Sequence, residues 1–392
     1  MPSAHAKLGP SSSGRWLRCP ASIGMSEKVP PKGSSPFALE GTMAHELGEI
    51  EAAFQFLDMS EAEHHSRLNE WEAEFQKEYG SDEARRAEME AHIGDYLILI
   101  ERRMKLHPGS FLMLEQKVDT GVPMCWGTSD VVIVSPEHVE IIDLKYGAGV
   151  AVSAEWNSQL MLYGVGALDT YGDLLGEAKT VYMTIFQPRL ENTSTFEIDA
   201  AELRAWRDYR VKPLAEEALG PLARFGPGTD ACRWCPAAGI CKPRMEWNLQ
   251  MDFGDDEDYA VIEPEKLAEL IPRFPEFKSW MGAVENAALD RAYSGGETIP
   301  GFKVVLSGGR RAIQDHEAAI QTLIDAGYSA EKVATFKAKG LGELEKLVGK
   351  KELPELIGRY IQKSKGSPSL VPETDKRAAI FPGSDAAEDF KE

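Results

Sequence analysis

Apolar residues recur at helical spacing through "ALEGTMAHELGEIEAAFQFL". The charged span "RLNEWEAEFQKEYGSDEARRAEMEAHIGDYLILIERRMKL" continues the pattern far enough for at least one further long helix, which "HPGS" stops. The period then changes. "SFLMLEQKVDT", "TSDVVIVS" and "HVEIIDLKYG" are short apolar runs parted by Gly, Pro and Ser, and predict three strands. A helical stretch "EWNSQLMLYGVGALDTYG", a strand "TVYMTIFQPR" and a helix "AAELRAWRDYRVKPLAEEAL" follow. Helices before and after a three-strand meander, then a further strand, predict an α/β fold with a mixed central sheet flanked by helices.

The flanks read differently. "SSSGRWLRCPASI" predicts serine caps opening a short helix that carries Cys19, and "GPGTDACRWCPAAGICKP" is a cysteine-bearing loop. The chain beyond it predicts mostly helix, interrupted at "IPGFKVVLSGGRR" by a strand and turn. The expected organisation is a main domain over 1–248, an acidic linker over 249–262, a mostly helical accessory region over 263–375 and a disordered acidic tail over 376–392. No run approaches the roughly 18 consecutive apolar residues of a membrane helix, and "MPSAHAKLGPSSSGRW" lacks a signal peptide's apolar core. The expectation is a cytoplasmic protein with no membrane partner.

The formal charge of −20 argues against passive, charge-driven nucleic-acid binding, though carboxylates that hold a metal are part of that count. Two of those carboxylates end strands. In "IIDLKYG", Asp143 and Lys145 share one strand face while Leu144 points the other way, which makes them a solvated ion pair or a catalytic pair. Asp130 in "WGTSDVVIV" ends the neighbouring run and converges on Asp143 if "SPEH" makes a hairpin turn. Converging carboxylates repel unless they hold a cation, and hard oxygen ligands suit Mg²⁺ or Mn²⁺. Upstream, "EGTMAHELGE" places His45 on a helix with Glu49 one turn on. Downstream, Gln159 and Tyr163 lie four apart on one helical face.

The order His45, Gly127 to Asp130, Asp143-Leu144-Lys145, and Gln159 to Tyr163 resembles the PD-(D/E)XK nuclease superfamily in its RecB-like branch. The resemblance covers about residues 3 to 245 and implies a restriction-endonuclease-like core. It implies that His45, Asp130, Asp143 and the backbone carbonyl of Leu144 bind the divalent metal and that Lys145 positions or activates the attacking water. It also implies that Gln159 and Tyr163 contact DNA near the scissile phosphate. Glu115, in "LMLEQKVD", matches an acid often found beside such sites. The remainder, with "GFKVV" and "GSPSLVPETDKRAAI", resembles a phage and prophage family of uncharacterised RecB-like proteins. The expectation is a DNase, an exonuclease of phage DNA recombination or processing, with a phage recombination or replication protein as a further partner. A catalytically silent DNA-binding or assembly protein on the same fold is the alternative.

Five cysteines, an odd number, speak against a disulfide framework and for metal ligation. Cys232, Cys235 and Cys241 form C-x2-C-x5-C, and Cys19 is the remote fourth. Thiolates in this number hold either zinc or an iron–sulfur cluster. One N-terminal cysteine with a C-terminal trio resembles the RecB-like nucleases that carry a 4Fe-4S cluster, among them the AddB-type helicase–nucleases and the CRISPR adaptation exonucleases. Cys125 is left as an ordinary buried thiol. "LSGGRRAIQD" offers a phosphate-binding turn at Gly308 to Arg311 or a solvated loop, and no Walker A motif is present.

Overall fold

The computed structural model describes residues 6–30, 36–250, 264–304, 316–325 and 349–357, with positions 329, 330, 342 and 345. The chain divides into two compact units, Met1–Val305 and Leu306–Glu392. Unit 1 opens with two short helices, α1 (Ser13–Trp16) and α2 (Ser22–Ser26), and three long ones, α3 (Pro36–Phe56), α4 (Glu61–Tyr79) and α5 (Glu83–Leu106). Strands β1 (Phe111–Val122), β2 (Cys125–Val134) and β3 (His138–Leu144) follow, then α6 (Ser158–Tyr171), β4 (Thr180–Gln187) and β5 (Asn192–Asp199). Helices α7 (Ala200–Trp206), α8 (Lys212–Leu219), α9 (Thr229–Arg233), α10 (Lys242–Leu249), α11 (Pro264–Leu270) and α12 (Phe274–Tyr293) complete it. A π turn, Arg207–Val211, joins α7 to α8. Unit 2 contributes α13 (His316–Asp325) and a short helix, Glu352–Ile357.

The sheet runs β1-β2-β3-β4-β5. Its pairs are antiparallel except β3 with β4, the parallel pair that α6 bridges. Two apolar faces explain the layers. Met43, Leu47, Met89, Ile93 and Ile100 of α3 and α5 bury one face against Val131, Ile133, Ile142 and Leu144. Leu160, Met161, Val165 and Leu168 of α6 bury the other against Val132, Ile141, Val181 and Ile185. Strands covered on both sides lose their polar alternation, which is why β3 reads as a continuous apolar run.

The span over 67–106, expected to hold at least one long helix, holds parts of two. Gly80 takes φ +63, open to glycine without strain, and Asp82 caps α5 by accepting from the Arg85 amide. Ser60 caps α4 in the same way, accepting from Glu63. At the other end of the chain, Cys19 sits in the turn between α1 and α2 rather than on a helix. The expected serine cap is absent too, because Ser12 makes no side-chain cap and Ser13 Oγ pairs with Ser158 Oγ at 2.7 Å. Strand β5 was not expected from the sequence. Residues 302–304 belong to no strand, and the Gly308–Arg311 turn, most of the acidic linker and the acidic tail lie outside the described residues. The region expected to begin at 263 is shared, since α11 and α12 belong to unit 1. Among the described residues no helix is long and apolar enough to cross a membrane.

Gly166 sets how closely α6 lies on the β1–β2 hairpin. A Cβ there would overlap Val118 Cγ1 and the Asp119 carbonyl. Gly166→Ala is therefore expected to cost about 1–3 kcal/mol, read as a lower urea midpoint with an unchanged slope.

Candidate metal centre and cysteine cavity

The β2–β3 register pairs Val131 with Ile142, so the next step sets Asp130 opposite Asp143. Like charges opposed across a ladder destabilise it unless something neutralises them. The β1–β2 register likewise sets Glu115 opposite Asp130, between the Leu114–Val131 and Gln116–Ser129 pairs. Glu115 itself has φ +46, an uncommon conformation for a side-chain-bearing residue, and breaks the ladder there.

Helix α3 brings His45 to this part of the sheet. Its Nδ1 lies 3.4 Å from Asp130 Oδ1, and one ligand atom each from His45, Glu115 and Asp130 fall within 4.8 Å of one another. Asp130 Oδ2 accepts from the Leu144 amide at 2.8 Å, which fixes the carboxylate. Asp143, 4% exposed, is held from the other side. Lys145 Nζ lies 2.8 Å from its Oδ2 without making a well-directed hydrogen bond, and Gln159 Nε2 donates to its Oδ1 at 3.0 Å. Lys145 Nζ also donates to Gln159 Oε1 at 3.3 Å. Nitrogen and carboxylate oxygen donors around a crowded acidic centre suit Mg²⁺ or Mn²⁺. The residues present fit such an ion.

The two acids are driven apart electrostatically. Burial pushes Asp143 up, and Asp130 adds to this against the pull of Lys145, so its carboxyl ends above the usual range. Burial acts the same way on Asp130, but His45, Lys145 and the Leu144 amide outweigh it and hold it below. For His45 burial works downward, and Asp130 and Asp143 overcome it, leaving the imidazole raised. Burial would lower Lys145 too, but Asp143 and Asp130 keep its ammonium raised.

Glu115 is pushed up to about 7, first by burial of its carboxyl group and then by Asp130 and Glu49, although the residue as a whole is exposed. Its ordinary value is 4.5, so between these values the folded protein holds a proton the unfolded chain has released. Stability of the metal-free protein therefore falls as pH rises through that window. Glu115→Gln removes the effect. Its melting temperature is expected to exceed the wild type's by more at pH 8 than at pH 5, measured by thermal scans in chelator.

The expected set is brought together with two differences. Glu115 joins His45 and Asp130 directly, whereas Asp143 stands opposite them in the grip of Lys145 and Gln159. Tyr163, expected to touch DNA, is only 6% exposed. Its ring and hydroxyl occupy the space a Cβ on Gly127 would need, and it bonds to Gln159. Burial raises its pKa. Helix α6 turns the Tyr163 side chain toward Gly127, where it is buried beside Gln159.

All four expected cysteines line one narrow cavity. Cys19 comes from the α1–α2 turn, Cys232 from α9, Cys235 from the turn after it and Cys241 from the N-cap of α10. The rest of the lining is mostly apolar, including Phe225, Pro227 and Ala231. Burial raises the Cys232 and Cys241 thiols. Four thiols converging on one mostly apolar cavity are a donor set that suits a tetrahedral zinc or an iron–sulfur cluster. Cys125 lies elsewhere, 1% exposed among Leu8, Trp16 and Leu162, its thiol pushed up to about 11 by burial.

One buried group had no sequence signal. Arg244 of α10 lines the cysteine cavity, is 1% exposed and pairs with Glu276 of α12, the closest approach being 2.6 Å. Nothing in the spacing of two charges 32 positions apart marks them as partners.

A family model described as "Protein of unknown function (DUF2800)" matches residues 5–378. Among solved structures, the chain is similar to one described as "Crystal structure of SSO0001", at 16% identity, over 52% of this chain and 96% of that one. The TM-score is 0.21, at which the likeness carries no argument.

Proposed function

The chain belongs to the DUF2800 family, whose function is unknown, and we propose from its own geometry that it is a divalent-metal-dependent DNA nuclease of the PD-(D/E)XK type. The observation that carries this reading is the pair Asp130 and Asp143, opposed on adjacent strands and ringed by His45, Glu115 and Lys145. A resting protein gains nothing from opposing two acids, while a cation holder needs them. A divalent ion held there supplies Lewis acidity toward a phosphodiester and acidifies a water.

The chain's own groups do the rest. The Leu144 amide locks one oxygen of Asp130, so its other oxygen is presented toward His45. Lys145, bound by Asp143 and Gln159, would hold a water nucleophile and offset the charge that develops on the phosphoryl oxygens. Gln159 fixes both partners and is itself backed by Tyr163. The four-cysteine cavity supports a 4Fe-4S cluster that ties the N-terminal turn to α9 and α10. The resemblance to phage proteins supports an exonuclease role in phage or prophage DNA recombination or processing, beside a recombination or replication partner.

The test uses anaerobically purified full-length protein and end-labelled single- and double-stranded DNA. Cleavage is expected in Mg²⁺ or Mn²⁺, abolished by chelator and by Asp130→Ala. Mn²⁺ should raise the melting temperature of the wild type and not of that variant. A brown, iron-containing protein supports the cluster. A folded wild type that binds DNA and cleaves none in any metal supports the binding or assembly role instead.

A further inference from the structure

Among the described residues Trp156 is the one aromatic residue with a positive φ. It takes φ +52, a left-handed conformation that is an outlier for a bulky side chain, and 55% of it is exposed. Strain of this kind persists only where the surroundings impose it, and it gathers at working sites. The surroundings here do impose it. The loop over 147–157, which links Lys145 to α6, is pinned from below by β4 and β5. Buried Gln187 accepts from the Val152 amide at 2.7 Å and donates to the Val150 carbonyl at 3.1 Å. Asn192 donates to the Val152 carbonyl, and Ser194 Oγ accepts from the Ala154 amide.

The pinned loop holds an indole at the surface instead of letting it fold into the core. Phe196 of β5 backs the ring at 5.5 Å between centroids, tilted by 46°. Gln159, three positions on, touches both Asp143 and Lys145 through its amide. Three residues span at most about 11 Å, so the Trp156 backbone lies within that distance of the Gln159 backbone.

We propose that Trp156, backed by Phe196, is a stacking platform for an unpaired base of the DNA strand whose backbone enters the site, which makes single-stranded DNA the preferred ligand. The inference rests on the nuclease reading and names the substrate class of that same site. It fits the protein's charge. A chain at −20 gains little from long-range attraction to phosphate, whereas stacking on an aromatic face needs no net positive charge and accepts any base. Bases inside a duplex stack on neighbours on both sides, so a duplex offers the ring only the outer face of its terminal pair, whereas every base of a single strand can offer one.

The other role open to Trp156 is as a cover over Phe196. Trp156→Gly separates the two, because glycine takes the left-handed backbone without strain. Full-length wild type, Trp156→Gly, Trp156→Asn and Trp156→Phe are titrated, with Ca²⁺ in place of Mg²⁺, into fluorescent oligothymidylate, an abasic strand of equal length and a blunt duplex. Melting temperatures are recorded alongside.

The wild type is expected to favour oligothymidylate over both other probes. The Gly and Asn variants should bind oligothymidylate roughly 5- to 100-fold more weakly, Phe should keep most of the affinity, and Gly should melt no lower than wild type. Oligothymidylate affinity unchanged in Trp156→Gly, or equal wild-type affinity for abasic and base-bearing strands, overturns the platform. If the wild type still cleaves DNA in Mg²⁺ in that case, the nuclease reading stands alone. A wild type that neither binds nor cleaves any probe overturns both.

Discussion

Asp143→Asn is expected to lower metal-dependent DNA cleavage by about 10³-fold without lowering the melting temperature. The two halves of this result have one cause. Asp143 is buried opposite Asp130, and its carboxyl is raised because burial and that neighbour disfavour its charge more than Lys145 favours it. A raised carboxyl is a group whose ionised form the fold tolerates poorly, so a neutral isostere relieves the folded state. Asparagine still accepts from Gln159 in the same position, which keeps α6 in register with β3. What it loses is the negative charge toward a cation and toward Lys145. Cleavage of end-labelled DNA and thermal scans on the same preparations check both. Full activity in Asp143→Asn would remove this acid from the site, and a collapse in melting temperature would make it a structural ion-pair partner.

The candidate metal centre was legible because its aspartates interrupt or close apolar runs, where period and polarity conflict. An acid closing a run as apolar as "IIDL" is visible in one dimension, and so is a second acid one hairpin away. Antiparallel pairing then does the rest, since the β2–β3 register sets the two acids opposite each other. The burial of Tyr163 was not legible. Its spacing from Gln159 shows a shared helical face, but which way that face turns depends on Gly127, whose missing side chain admits the ring.

Strand β5 hid for a different reason. It is an edge strand, with exposed positions alternating along "NTSTFEID", and it carries too few apolar residues to announce itself. The Thr and Ser alternation around Phe196 and Ile198 was the signal available. The strand matters because its Asn192, Ser194 and Phe196 hold the loop that presents Trp156. The cysteines were legible by count and spacing. Their convergence on one cavity needed the fold, because Cys19 reaches it from a turn more than 200 residues from its partners in sequence.

The second large effect is expected where the sequence was silent. Glu276→Ala should destabilise the protein by about 3–5 kcal/mol, because it strands the guanidinium of Arg244 in the interior. Ser279 Oγ at 3.3 Å and the Ala238 carbonyl at 3.5 Å are the remaining acceptors, and neither carries charge. Replacing both partners by apolar residues of similar size, Arg244→Met with Glu276→Leu, should recover most of the loss, since the penalty lies in the unpaired charge. Urea unfolding of wild type, Arg244→Met, Glu276→Leu and the double variant closes the cycle, with Glu276→Ala beside them. The same set reads the cysteine cavity. Burial raises the Cys232 thiol, with Arg244 drawing it down and Glu276 pushing it up. Losing Glu276 alone should therefore lower the thiol's pKa and speed its alkylation in metal-free protein, while the apolar pair should slow it relative to Glu276→Ala. Equal alkylation rates in all three proteins would show that Arg244 does not act on the cavity it lines, and would leave the pair as a brace between α10 and α12.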